Sequence, residues 1–286
     1  VSFDAPRFDR LLSAGFPDHQ LGRPSAGWAS VQHLSSTDST QSQLRLDFAH
    51  RAEVAGRWRV VVADAQTAGR GRTGAAWQSL AGAGLWFTVG AVLPVQPWWL
   101  PRASLVAGQA VAEVLAAAGL PVALKWPNDV MAVVNARWTK LAGILCERVS
   151  GGCGDGVWLC GVGLNVARTP PGLEGAGCLA SLGWQGDTTE LAAALCVRIR
   201  DAVEAWVVRG GQIDAWRIEH FLAFRGCRVE LDFGPLQGRR RVQLEGLDVT
   251  GALRVRTSEG RLEVCTPLAL TAAESTPAWR ADPDSV

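Results

Sequence analysis

The 286-residue chain is long enough for one large domain, or for a large and a small one. Hydrophobic residues make up 48% of it and charged ones 19%, which supports a sizeable core and argues against wholesale disorder. A formal net charge of +1 gives no broad electrostatic basis for nucleic acid as the main partner. Seven cysteines, at 146, 153, 160, 178, 196, 227 and 265, are odd in number and form no C-x-x-C pair. They speak against a disulfide framework or a zinc site and fit reduced thiols in a cytosolic protein. The four histidines (His19, His33, His50, His220) lie too far apart for a metal-ligand pattern. With no signal peptide and no long uncharged apolar run, a cytoplasmic protein without a membrane segment is expected.

In chain order, residues 1–27 carry Pro6, Pro17 and Pro24 and one short helical stretch around Phe8–Ala14. They are expected to be an N-terminal extension, too small for a DNA-binding domain. From Val31 an apolar segment leads to Ser36-Thr37-Asp38-Ser39-Thr40-Gln41, whose short hydroxyl side chains suit a turn and a helix start. The apolar run Val60–Ala63 then enters Gln66-Thr67-Ala68-Gly69-Arg70-Gly71-Arg72-Thr73-Gly74, followed by Trp77. Glycines at 69, 71 and 74 permit positive φ and a close ligand approach. Arg70 and Arg72 could converge on one anion above a nest of loop N–H groups. An exposed basic turn, or an RGG-like segment, fits this stretch equally well on its own.

Leu85–Leu93 reads as a buried strand ended by prolines, and residues 103–118 as a largely buried helix stopped by Gly119. Val122–Leu124 is a short strand delivering Lys125 to Lys125-Trp126-Pro127-Asn128-Asp129, where Pro127 enforces a corner. Residues 131–139 suggest a hairpin connection, after which Lys140 stands at the start of the apolar strand Leu141–Cys146. An ammonium there is costly unless an anion meets it. Gly143 leaves room for a flat ligand. A glycine-rich turn at 150–156, a core strand at Trp158–Val166 and a mobile loop at 167–179 follow. Asp187 and Glu190 suggest a capping box opening a helix from Thr188 to Arg209, ended by Gly210-Gly211, with another helix near Ile213–Phe221. Beyond Arg225 the period becomes two (Val229/Leu231/Phe233, Val242/Leu244, Leu253/Val255, Leu262/Val264), as in a small β-barrel. Arg239–Arg241 reads as a solvated turn, and the residues from Ala273 onward as a disordered tail.

The Gly-Arg-Gly-Arg loop, the Lys125–Asp129 segment and Lys140-Leu141-Ala142-Gly143-Ile144-Leu145, in this order and spacing, resemble the biotin–protein ligase family. The resemblance covers most of residues 30–270. It implies an α/β fold with a mixed-sheet core of the class II aminoacyl-tRNA synthetase-like, biotin–lipoate ligase type, joined to a small C-terminal SH3-like β-barrel. The corresponding divisions are an extension at 1–27, a catalytic domain at 28–222, a barrel at 223–272 and a tail at 273–286. The implied activity has two steps. Biotin attacks the α-phosphorus of ATP to give biotinyl-5′-AMP, and a lysine of a biotin carboxyl carrier domain of acyl-CoA carboxylases then takes the biotinyl group.

By resemblance, Lys140, Arg70, Arg72 and Lys125 carry the catalysis. Biotin falls to Ser39, Thr40, Gln41, Gln66, Gly69, Arg70, Gly71, Arg72, Lys140 and Gly143. ATP falls to Arg72, Trp77, Lys125, Asn128, Asp129 and Asn165, with Asp129 also contacting Mg²⁺. Gln41 stands where the family has Asn, Trp138 and Thr139 where it has a glycine and a basic residue, and Ala180 where it has Thr. No specific DNA binding is expected, and a homodimer is left open. The rival readings are a lipoate–protein ligase of the same architecture, and a non-catalytic biotin- or nucleic-acid-binding protein.

Overall fold

The computed structural model describes residues 2–14, 27–50, 56–150 and 156–272. The expectations for most of the N-terminal extension, for the 150–156 turn and for the tail lie outside the described residues. The α/β fold has two sheets. Seven strands form the first: β1 (Trp28–Leu34), β2 (Trp58–Ala63), β3 (Gly84–Leu93), β4 (Val122–Lys125), β5 (Asp129–Val134), β6 (Arg137–Ser150) and β7 (Gly156–Asn165). Their order is β1-β2-β3-β7-β6-β5-β4, with β1 and β2 parallel and every other neighbouring pair antiparallel.

Side-chain alternation divides this sheet into two faces. Val60, Val62, Phe87, Val89, Cys160, Val162 and Ile144 point to the main core. Helices α1 (Ala5–Ala14), α3 (Leu100–Ala117) and α4 (Thr188–Val208) contribute Phe8, Leu105, Val111, Leu195 and Trp206 to it. The opposite face carries Val61, Val92, Val157 and Leu159, which pack on Leu44 and Phe48 of α2 (Thr40–His50). Two sequence-legible stops hold. Gly119 takes φ 78° after α3, and Gly210 and Gly211 take φ 65° and 77° after α4. Asp187 caps α4 by accepting the Glu190 N–H at 2.8 Å.

A short helix, α5 (Ala215–Phe221), leads to the second sheet, made of β8 (Arg228–Asp232), β9 (Arg239–Leu247), β10 (Leu253–Arg256), β11 (Leu262–Cys265) and β12 (Ala269–Ala272). It is antiparallel, in the order β11-β10-β9-β8-β12, and it is open: its edge strands β11 and β12 are not paired with each other. The closed barrel expected from the period-two segments is therefore corrected. The edge strands are four residues each, and Leu262 and Val264 of β11 face solvent at 57% and 56% exposure instead of a closed interior. Arg239–Arg241 is the first part of β9, not a turn, and its arginines pair with Glu230, Asp232 and Glu263. The main core continues into this sheet through Val229, Leu231, Leu244 and Leu253. Buried Glu219 ties α5 to this sheet by accepting from Leu247 N–H at 2.6 Å and Arg254 at 3.0 Å.

Candidate active site

The strand registers put one row of residues across the outer face of the large sheet. Trp86 of β3 pairs with Gly163 of β7, Gly163 with Gly143 of β6, Gly143 with Asp129 of β5, and Asp129 with Lys125 of β4. The next row on the same face is Thr88, Gly161 and Leu145. Three glycines in these two rows leave bare backbone as a floor. The indole of Trp77 lies on that floor, so that a Cβ at Gly163 would collide with its ring and one at Gly143 would stand 2.9 Å from it. Trp77 also meets Trp86 edge to face at 6.2 Å.

Two cavities of about 200 and 210 Å³ lie over this surface and share Ala76, Trp77 and Lys140 in their walls. The first is enclosed by Ser39, Thr40 and Gln41 at the start of α2, by Gln66, and by Arg70, Gly71 and Arg72. Asn128, Asp129 and Gly143 close its far side. The second is bounded by Gln78, Asn165 and the segment Leu173–Ala176. A cleft with an apolar floor, hydroxyl and amide groups at one end and cations at the centre suits a small molecule bearing an anionic group.

The amide groups at the first end are held by tertiary bonds. Gln66 accepts the Thr40 N–H at 2.9 Å, capping α2 from another loop, and donates to Ser79 Oγ at 2.9 Å. The hydroxyls of Thr40 and Thr88 lie 2.8 Å apart. Gln41 is turned along the strand: its Nε2 donates to Leu145 O at 3.3 Å and to Glu147 at 3.1 Å. Its Oε1 is buried with no hydrogen-bond partner. Sequence reasoning missed Thr88, Ser79, Leu145, Glu147, Gly161 and Gly163. A usable signal existed for the glycines: positions 161 and 163, two apart in an apolar strand, bare one face of it.

The glycine-rich loop is folded back on itself. Gly71 N–H donates to Ala75 O at 2.7 Å and Trp77 N–H to Gly69 O at 2.9 Å, with Thr73 and Gly74 at φ 53° and 79°. Its two guanidiniums diverge, contrary to the expected convergence. Arg70 reaches Glu147 at 3.3 Å, whereas Arg72 donates to Asn128 Oδ1 at 3.3 Å. Burial lowers the pKa of Arg72, an effect opposed by the charge of Asp129. Asn128 in turn donates to Ile144 O at 3.1 Å.

The chain has only two lysines, and they are differently placed. Lys140 lies within β6 rather than at a strand start, because Asn135 and Ala136, at φ 50° and 60°, make the β5–β6 turn two residues long. Its ammonium stands 2.6 Å from Asp129 Oδ1 and 5.3 Å from the centre of the Trp77 ring, on the wall of both cavities. Lys125 is half-buried at the end of β4 and lines neither. Gly69 lies behind the loop, where a Cβ would collide with the Trp77 carbonyl. Asn165 faces only the second cavity; its Nδ2 donates to Gly177 O at 3.0 Å and its Oδ1 is buried without a partner. The 167–179 segment, expected to be mobile, is bound to β6 through Lys140 N–H to Gly175 O and Gly177 N–H to Lys140 O, at 2.7 and 2.9 Å.

The residues do not form a resident magnesium site. Asp129 is a single carboxylate facing the charges of Lys140 and Arg72, and no cluster of three His, Cys, Asp or Glu side chains stands among the described residues. No helix among the described residues is long and apolar enough to cross a membrane.

Residues 34–165 match the biotin/lipoate A/B protein ligase family. The chain is 33% identical over 265 residues to a biotin–[acetyl-CoA-carboxylase] ligase of Mycobacterium tuberculosis, covering 89% of this chain and 86% of that one. The bifunctional ligase/repressor BirA of Escherichia coli is 37% identical over 155 residues, 52% of this chain and 47% of that protein. Among solved structures, the biotin protein ligase from Aquifex aeolicus in complex with biotin and ATP superposes with a TM-score of 0.69 at 27% identity. That match covers 86% of this chain and all of the other.

Proposed function

This chain belongs to the biotin–[acetyl-CoA-carboxylase] ligases of the biotin/lipoate A/B protein ligase family, and from that premise we propose how its residues share the work. The protein is an ATP-dependent ligase that activates biotin as biotinyl-5′-AMP and transfers it to a biotin carboxyl carrier domain. The observation that carries the assignment of roles is Lys140, whose ammonium reaches the wall shared by two adjoining cavities of nearly equal size.

In this reading biotin occupies the first cavity, with its ring system toward Ser39, Thr40 and Gln66 and its carboxylate toward Lys140. The glycine floor seats the Trp77 indole, which separates biotin from the nucleotide. ATP takes the second cavity, beside Asn165 and Trp77, with its α-phosphate at Lys140. Both reactants are anions and repel each other, so the chief requirement is a cation between them. Lys140 supplies it, and Arg72 adds a second charge on the loop side. The carboxylate oxygen attacks the α-phosphorus, and pyrophosphate leaves. The carrier lysine then attacks the acyl carbon, and AMP departs.

Magnesium enters this scheme only as part of MgATP, where it neutralises phosphate charge. Lys125, beside Asp129 but lining neither cavity, is left with an indirect part. The amide of Gln41, engaged by Leu145 and Glu147, offers biotin its free Oε1 only. Residues 28–222 are taken as the catalytic unit and 223–272 as an accessory one, and the cytoplasm as the place where ATP and carboxylase meet. A thermal-shift competition tests the ligand assignment: biotin should raise the melting temperature and lipoate should not. Stabilisation by lipoate at equal concentration would instead favour a lipoate ligase.

A further inference from the structure

Glu147 stands on the site face of β6, four residues beyond Gly143, and no part of the scheme above uses it. Its side chain is only 25% exposed, yet it gathers three donors, two from α2 and one from the glycine-rich loop. Arg45, one turn into α2, donates to Oε2 at 2.6 Å, and Gln41, at the start of the same helix, donates to the same oxygen at 3.1 Å. Arg70, from the glycine-rich loop, spans both oxygens at 3.3 and 3.5 Å. A carboxylate accepts such multiple contacts well, since two oxygens offer about four lone-pair directions. Its neighbours along the strand, Cys146 and Arg148, face away from this cluster.

The loop has few other ties to the sheet. Its remaining bonds run within the loop, to the residues around Asp38, and through Arg72 to Asn128. We propose that Glu147 is a positioning residue for the Gly-Arg-Gly-Arg loop: by binding Arg70 it holds the loop against β6 and so sets how firmly the ligand beneath is retained. The longer Gln41, in place of the family's Asn, belongs to the same device, because the extra methylene lets its amide reach Glu147. The loop contact is the longest of the three, at 3.3 and 3.5 Å, and is therefore the one that opens first. Arg45 shares the carboxylate and keeps it oriented while the loop is open. The inference rests on the ligase reading for what is retained, but the tether itself does not.

The test uses Glu147→Gln in the full chain. Trypsin cuts after Arg70 or Arg72 report loop opening without reference to activity, and biotin-dependent exchange of pyrophosphate into ATP reports retention. Expected are about three- to ten-fold faster cleavage in the loop and a similar rise in KM for biotin, with kcat within two-fold. Combining the change with Arg70→Gln should speed cleavage after Arg72 little further, because the two groups act through one contact. Unchanged cleavage and KM would overturn the proposal, as would a fall in kcat matching the fall in kcat/KM. If Glu147→Gln does not fold, the unaltered protein still decides the matter. High salt should then speed loop cleavage relative to a trypsin peptide substrate, and a salt-independent rate overturns the tether. A wild-type protein that exchanges no pyrophosphate would refute the ligase reading, and the cleavage comparison would stand apart from it.

Discussion

Replacing Lys140 by alanine removes the one ammonium on the wall of both cavities, and fold and chemistry should respond very differently. Two unit charges 2.6 Å apart attract by roughly 6 kcal/mol at an effective dielectric of 20. The side chain is 34% exposed, however, and pairs this open to water contribute only about 0–1 kcal/mol to stability. Asp129 also keeps the charge of Arg72 nearby, so it is not stranded. The fold should therefore lose no more than about 1 kcal/mol. Adenylate formation loses more, because Lys140 would contact two oxyanions as the new bond forms. At about 1.5–3 kcal/mol for each charge-assisted contact, the loss is roughly 3–6 kcal/mol, or about 10²- to 10⁴-fold in rate. Biotin-dependent pyrophosphate exchange, with a melting curve on the same sample, measures both. Exchange within ten-fold of the unaltered protein would refute the role of Lys140. So would a loss of stability large enough to account for the inactivity.

Arg72→Gly should release biotinyl-AMP about ten- to hundred-fold faster, since the lost contact is charge-assisted and half-buried. Free adenylate after rapid mixing measures this, and side-chain self-labelling should fall on Lys125 and Lys140, the only lysines in the chain. Ending the chain at residue 222 should yield an unstable core, because Leu222 and Glu219 lose the second sheet that covers them. A truncated chain with normal melting behaviour and normal ligation would make that sheet dispensable. Glu204→Gln should raise stability at neutral pH. Burial lifts the Glu204 pKa, so its protonated form favours folding at low pH, and that contribution fades as pH rises through the folded pKa. The glutamine can still accept the Trp58 indole N–H that Glu204 accepts at 2.7 Å. Its advantage in melting temperature should therefore grow with pH, and a pH-independent difference would contradict this.

What the sequence made legible followed from local rules. Glycine stops, the Asp187 cap and the apolar runs placed α3, α4, β3 and β7 within a few residues. The spacing of the lysine segments reflects the register that brings Asp129 opposite Gly143. Illegible features were those decided by partners distant in the chain. Lys125 and Lys140 looked alike until strand pairing carried one into the cleft and left the other at a strand end. The divergence of Arg70 and Arg72 depends on Glu147 and Asn128, 77 and 56 residues away. On β11 the alternation of Leu262 and Val264 suggested an inward face, but the short open edge turns them to solvent. There the period was right and the facing was not, because facing is set by what the sheet packs against.

Intact-mass measurement of a carrier domain tests biotin transfer by this chain most directly. Incubated with the protein, biotin and MgATP, the carrier should gain the mass of one biotinyl group on its target lysine, with AMP and pyrophosphate released. Lipoate in place of biotin should leave it unchanged. A carrier that stays unmodified while the protein is folded, or that accepts a lipoyl group instead, would contradict the account.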